Sequence, residues 1–192
     1  TESAVTCNGK PIHLRTKKVI YAYNKPIGQV CTSKEADPDS IFRYVEFPER
    51  VNYVGRLDKD STGLLLLTND GDLANEIQRS RNNHEKEYHV RVNTDISENF
   101  IKHMSEGVEI LDTVTKPCKV KKTGTRNFSI ILTQGLNRQI RRMCDALHVR
   151  VVHLKRVRIM NVRLGSLRPG EFRTLTRDEE RELRSLVQKR SE

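Results

Sequence analysis

The 192-residue chain has no tryptophan, and none of its apolar runs approaches the roughly 20 residues that cross a bilayer as a helix. No membrane partner is expected. The opening TESAVTCNGK lacks the basic-then-apolar order of a secretory leader. Cysteine is sparse: Cys7, Cys31, Cys118 and Cys144 are far apart and form no CxxC pair. That is the pattern of reduced thiols in a cytoplasmic protein, not of a zinc site or a disulfide framework. His13, His84, His89, His103, His148 and His153 show no HxxxH or HExxH spacing, and there is no Gly-rich phosphate cradle. Neither a metal nor an organic cofactor is expected.

What the chain has is positive charge. Lysine and arginine number 35 against 25 acidic residues, a formal balance of +10. Such an excess suits a polyanion, because each neutralised phosphate releases counterions and adds salt-sensitive affinity. With 35% apolar and 31% charged residues, the composition is polar but globular. A chain this long buries roughly two-thirds of its unfolded surface and needs no staple.

Extended segments are predicted at Thr6–Cys7, Val19–Tyr23 (running to Lys25-Pro26), Asn52–Val54, Leu64–Thr68, Glu87–Val92, Val108–Leu111, Cys118–Lys121, Phe128–Leu132, Val149–Leu154 and Val157–Val162. Short helices are predicted at Ile41–Val45, around Leu73 and Ile77 with Asp72 as N-cap, and from Ser97. Asn137 caps a longer helix, where Ile140, Met143, Cys144 and Leu147 recur at i, i+3, i+4 and i+7 as one buried stripe. A charged helix begins near Thr176 or Asp178. Strands and helices interleave without βαβ spacing, so the fold class is α+β with a mixed, largely antiparallel sheet.

Two constellations carry chemistry. Gly55-Arg56-Leu57-Asp58 follows a strand and precedes the small-residue turn Ser61-Thr62-Gly63, a place for one reactive carboxylate. Asp58-Lys59-Asp60-Ser61-Thr62-Gly63 also imitates the start of a calcium loop. Position twelve is Asn69 rather than Glu, however, and a strand-like run follows instead of a helix. The second constellation is Arg138, Arg141 and Arg142, predicted on one ridge of the helix that opens at Asn137. They can meet phosphates, or hold a nearby Asp in its charged form. Taken alone, an Asp beside an Arg is usually a surface ion pair, and a basic helix face is usually solvated.

Lys25-Pro26-Ile27-Gly28, Gly55 to Leu64, and Gly135-Leu136-Asn137-Arg138-Gln139-Ile140-Arg141-Arg142-Met143 occur in that order. Together they resemble the motifs of the RsuA/Rlu family of pseudouridine synthases, over about Val19 to Leu175. His84-Glu85-Lys86-Glu87-Tyr88 and Arg158-Ile159-Met160-Asn161-Val162 are most similar to its RluF branch. The resemblance implies a two-lobed fold with the active-site cleft between the lobes, and no cofactor. It implies Asp58 as the catalytic residue, Tyr88 stacked on the target base and Arg141 paired with Asp58. Arg56 is expected to displace the target nucleotide, and Lys25, Lys59, Arg138 and Arg142 to contact RNA. It also implies that residues 1–18 are a linker behind an N-terminal RNA-binding domain, with the catalytic domain at 19–192.

The expected reaction breaks the N1–C1′ bond of a uridine flipped from its stack and joins C5 to C1′. It consumes nothing. Asp58 acts either as nucleophile on C1′ or as base on the sugar. Large-subunit ribosomal RNA is the expected partner, with transfer RNA as a second substrate, and the polar surface suits a monomer. The competing readings are a non-catalytic RNA-binding or ribosome-assembly protein on the same fold, and a metal-dependent nuclease. The first leaves Asp58 and Tyr88 without a task; the second lacks paired carboxylates.

Overall fold

The computed structural model describes residues 6–7, 10–11, 17–79 and 83–189. The expected linker at 1–18 therefore falls largely outside the described residues. In chain order the elements are β1 (Thr6–Cys7), β2 (Lys10–Pro11), β3 (Ile20–Lys25), α1 (Ile41–Tyr44), β4 (Asn52–Val54), β5 (Thr62–Thr68), α2 (Gly71–Gln78), β6 (Lys86–Val92) and α3 (Glu98–Glu106). They continue with β7 (Glu109–Ile110), β8 (Thr113–Val114), β9 (Lys119–Gly124), β10 (Asn127–Leu132), α4 (Gln139–Ala146), β11 (Val151–Ile159), β12 (Val162–Arg163), β13 (Phe172–Thr174) and α5 (Arg177–Lys189).

Nine of these strands make one sheet in the order β13-β3-β5-β11-β6-β10-β9, with β4 alongside β5 and β12 alongside β11. The fold is α+β, as expected, and the sheet is antiparallel except where β11 meets β5 at Lys155↔Thr62 and Arg156↔Gly63. That short parallel joint matters because β5 serves three neighbours. One edge carries β3 from Gly63 to Thr68. The other carries β11 at its start and β4 at Leu66–Thr68. The sheet thus forks along β5, and the chain from β4 back to β5 crosses the fork as the Gly55–Ser61 loop.

Three hydrophobic cores follow. Leu64 and Leu66 join α2 and α5 on one face of β5, while Leu65 and Leu67 join Tyr21, Tyr23 and Ile41 on the other. A strand covered on both faces reads as an unbroken apolar run, which is why LLLL occurs here. The third core packs α3 and α4 on Val90, Phe128, Ile130 and Leu154.

Local signals set most element ends. Ser97 Oγ accepts from the Phe100 amide at 3.1 Å to open α3. Thr176 and Glu179 cap α5 reciprocally, at 3.0 and 3.1 Å. The N-cap of α2 is Asp70, not Asp72: Asp70 Oδ1 accepts from the Leu73 amide at 3.2 Å, and Asp72 lies in the first turn. The two strands predicted across 149–162 are one continuous strand from Val151 to Ile159, because Lys155 and Arg156 pair in regular register with His89 and Tyr88 of β6 and the register shifts fall to either side, between Val151 and His153 and between Arg156 and Arg158. At α4 the cap is Arg138, in left-handed backbone with φ 49° and no side-chain capping bond. Asn137, expected there, has its Oδ1 taken by Arg142 at 3.0 Å. Arg138 is therefore not on one helical ridge with Arg141 and Arg142.

Candidate active site

A cavity of about 480 Å³ opens at the fork of the sheet. Leu66, Ile77 and Ile159 of one core and Leu132, Ile140 and Leu154 of another form its apolar wall. The cleft is the seam between two cores, where the resemblance placed it. Its charged lining is lopsided: Arg56, Arg79, Lys86, Arg138, Arg141 and Arg156 against one carboxylate, Asp58.

The loop that carries Asp58 is held by its own carbonyls. The Asp58 carbonyl accepts from the Ser61 amide at 3.0 Å and the Lys59 carbonyl from the Gly28 amide at 2.9 Å. The Asp60 carbonyl accepts from Arg141 Nη2 at 2.9 Å, and the Ser61 carbonyl from Lys25 Nζ at 2.7 Å. Four consecutive acceptors are satisfied by the loop's own Ser61 and by two distant segments, Lys25–Gly28 and the start of α4, and these are the three segments whose motifs the sequence showed. Leu57, 6% exposed, anchors the loop in the core beneath Tyr23. The loop backbone is over-determined, so the Asp58 carboxylate sits at the cavity mouth in a fixed place.

Gly63 makes the fork possible. Its φ is 109°, and a Cβ there would lie 2.2 Å from the Arg156 carbonyl oxygen. No other residue type lets β5 and β11 approach this closely.

The structure redistributes the expected basic residues. Asp58, with its side chain 42% exposed, meets Arg138 Nη1 at 3.3 Å. The expected Arg141–Asp58 pair is replaced: Arg141 bonds the Asp60 carbonyl and, at 3.2 Å, the Ser61 hydroxyl. The reason is geometric. Arg138 precedes the helix in left-handed backbone and swings over the loop, while Arg141 on the first turn reaches under it. Arg138 also grips Asp60 at two points, 3.0 and 2.8 Å, and these bonds hold the Asp60 carboxyl below its ordinary range.

Lys25, expected to contact RNA, is 0% exposed. Its ammonium is enclosed by the Ser61 and Pro26 carbonyls, and burial lowers its pKa. It pins the loop and cannot reach a phosphate. Arg142 is half-buried and doubly bonded to Asn137. Lys59 is exposed and paired with Asp39 at 2.8 Å. Arg56 is exposed at the rim. Tyr88, half-buried on β6, stands opposite Arg156 in the register and lines the same cavity as Asp58.

Two lining residues were missed. Lys86 shares the inner face of β6 with Tyr88, two residues on, and that period-two relation was available in the sequence. Arg156, 3% exposed, stands in a run that alternates with buried Leu154, but the adjacent cations Lys155 and Arg158 hid it. Its Nε donates to the Leu64 carbonyl at 2.8 Å. No three His, Cys, Asp or Glu among the described residues group as a metal site.

A family model described as RNA pseudouridylate synthase matches residues 19–146. The dual-specificity RNA pseudouridine synthase RluF of Escherichia coli (strain K12) is 51% identical over 189 residues, 97% of this chain and 65% of that protein. The chain thus spans somewhat less than two-thirds of that relative's length. The ribosomal large subunit pseudouridine synthase B of Bacillus subtilis (strain 168) is 30% identical over 191 residues, 95% of this chain and 78% of that one. A crystal structure of a pseudouridylate synthase superposes with a TM-score of 0.81 at 32% identity, covering 92% of this chain and 76% of that one. With three matching motifs closing on one loop and these likenesses across nearly the whole length, the chain belongs to the RsuA/Rlu family of pseudouridine synthases.

Proposed function

We propose that the chain isomerises a uridine to pseudouridine in structured RNA, with large-subunit ribosomal RNA as the main substrate and Asp58 as the catalytic residue. The observation that carries this is the fixed Asp58 carboxylate at the mouth of a cavity lined by Tyr88 and six cations. The relatives named as dual-specificity RNA enzymes favour a second RNA class, for which transfer RNA is the candidate.

In this reading the uridine is flipped into the cavity, since its C1′ is unreachable in a stack. Arg56, exposed at the rim, fills the vacated space, and Tyr88 stacks on the base. Asp58 meets the sugar at C1′ or C2′, with Arg138 as its ion-pair partner. Arg141 acts through the loop, and Arg138 with Lys59 faces the phosphates. The proton removed from C5 is balanced by one gained at N1, so the reaction needs no redox partner and no hydrolysis. Residues 19–192 form the catalytic domain, and 1–18 lead from an RNA-binding domain.

The test is carbodiimide labelling with primer extension on ribosomal RNA from a strain lacking this protein, in EDTA. A new stop with the wild-type chain and none with Asp58→Asn is expected. Equal stops with both would remove Asp58 from the reaction. No stop with wild type, despite salt-sensitive RNA binding, would favour the non-catalytic binder. That result would then be checked with transfer RNA and with a longer chain.

A further inference from the structure

Lys86 is the cavity residue that the proposed reaction leaves unused. It lies on the inner face of β6 with Tyr88, while Glu85 and Glu87 are held by Arg158 at 3.2 and 3.1 Å. The Lys86 ammonium has no hydrogen bond or ion pair among the described residues. Arg156, on the neighbouring strand, has a buried Nη2 with no partner there. Burial, and then the charge of Arg156, push the Lys86 pKa down to about 8. Two desolvated cations without a counter-ion are a cost to the fold. The other ionisable groups lining the cavity are Arg79 at the C-cap of α2, His84 before β6, Arg56 and Asp58 from the loop, Arg138 ahead of α4 and Arg141 from α4. Arg79 is paired with Glu76 and Asp58 with Arg138. The missing negative charge must arrive with the substrate.

We propose, resting on the pseudouridine reading above, that Lys86, backed by Arg156, donates a hydrogen bond to a carbonyl oxygen of the flipped uracil and stabilises the anion it becomes. When N1–C1′ breaks, the bond pair stays with the base and spreads over N1 and the ring oxygens. This holds on either route. If the Asp58 carboxylate adds to C1′, the later attack of C5 on C1′ expels it. If Asp58 takes the C2′ proton, C5 adds to the resulting C1′–C2′ double bond and Asp58 returns the proton. The electron pair used to join C5 to C1′ is the one Lys86 sheltered, and the proton lost from C5 balances the one gained at N1. A backbone phosphate is the other anion that could bind here. It fits the exposed rim at Arg56 and Arg138 better than an inner wall shared with Tyr88 and Leu132.

The experiment compares wild type, Lys86→Met and Lys86→Arg on the RNA whose uridine the carbodiimide assay maps, by single-turnover rate, RNA affinity, pH profile and thermal unfolding. Lys86→Met should lose about 100-fold or more in the rate of the chemical step. Its RNA affinity should stay within about twofold and its melting temperature should not fall. Wild type should lose activity as pH rises through about 8, a limb absent from Lys86→Met and moved up in Lys86→Arg. An unchanged rate in Lys86→Met would overturn the assignment. So would a loss confined to affinity, with a salt slope smaller by about one, which marks a phosphate contact. A loss explained by a lower melting temperature would also overturn it, as a structural role. If wild type makes no pseudouridine, the functional reading fails and this proposal fails with it; an active wild type beside an equally active Lys86→Met sinks this proposal alone.

Discussion

The two halves of the large sheet are built on opposite principles. Around β5, both faces are covered: Leu64 to Leu67 are each 0% exposed and divide between two cores. Around β6, only the face bearing Val90 and Val92 is packed, while His89 and Arg91 on the other face are exposed. The first half holds the Asp58 loop, and the second presents Tyr88 and Lys86 across the seam. A rigid, doubly covered half fixes the carboxylate. The other half supplies the facing wall from the end of its packed face, where Lys86 and Tyr88 continue the row of Val90 and Val92 into the cavity.

The joint between the halves is the most sensitive point. Gly63→Ala drives a methyl into the Arg156 carbonyl and should cost on the order of 4 kcal/mol, measured by chemical denaturation. Retention of wild-type stability would mean that β11 can leave β5 freely. Next, Leu65→Ala should cost roughly 2–5 kcal/mol. Val152→Ala, at a position 56% exposed on β11, should change stability by no more than about 0.5 kcal/mol. Similar losses from both would erase the contrast between the halves.

Lys86 makes stability depend on alkaline pH. Its folded pKa of about 8 lies below its ordinary 10.5, so the unfolded chain binds more protons between those values. Stability should therefore rise from pH 8 to 10.5, by on the order of 3 kcal/mol at full shift. Denaturation midpoints of Lys86→Met should lack this rise.

The two arginines divide similarly. Arg141, 14% exposed at its side chain, ties the loop, and Arg141→Ala should cost about 1–3 kcal/mol by freeing the Asp60 carbonyl and the part-buried Ser61 hydroxyl. Arg138, 38% exposed, should cost under about 1 kcal/mol when replaced by Ala. Pseudouridine formation should nonetheless fall in that variant, because Asp58 loses its partner. Equal losses of stability would contradict the different places of the two side chains.

The smallest effect concerns the C-terminal helix. The Arg173 guanidinium holds Glu179 down to about 2 from 4.5. The stability it lends is present above pH 4.5 and fades as pH falls toward 2. Glu179→Gln should flatten that acid limb by about 1 kcal/mol, discounted for partial exposure, in acid titrations followed by circular dichroism.

Much of this was legible along the chain, for physical reasons. The Leu64–Thr68 run reports burial on two faces. The stripe from Ile140 to Cys144 reports a helix on a core, and Ser97 marks an α3 start because capping is local. Three motifs in order pointed to Asp58. The partners were not legible. Arg138, Arg141 and Arg142 look equivalent in a helical reading, and a single left-handed residue sends them to different tasks. Lys25 looked like a phosphate ligand because charge in a sequence carries no burial.

The sequence by itself determined the α+β class, most strand and helix positions, the family and the place of the Asp58 loop, because periodicity, caps and short motifs are written in neighbouring residues. Only the tertiary structure decided which cation meets Asp58, that Lys25 closes over the Ser61 carbonyl, and that Lys86 and Arg156 face the cavity without a counter-ion among the described residues. Those outcomes depend on contacts between residues far apart in the chain, and on which side chains the forked sheet removes from water.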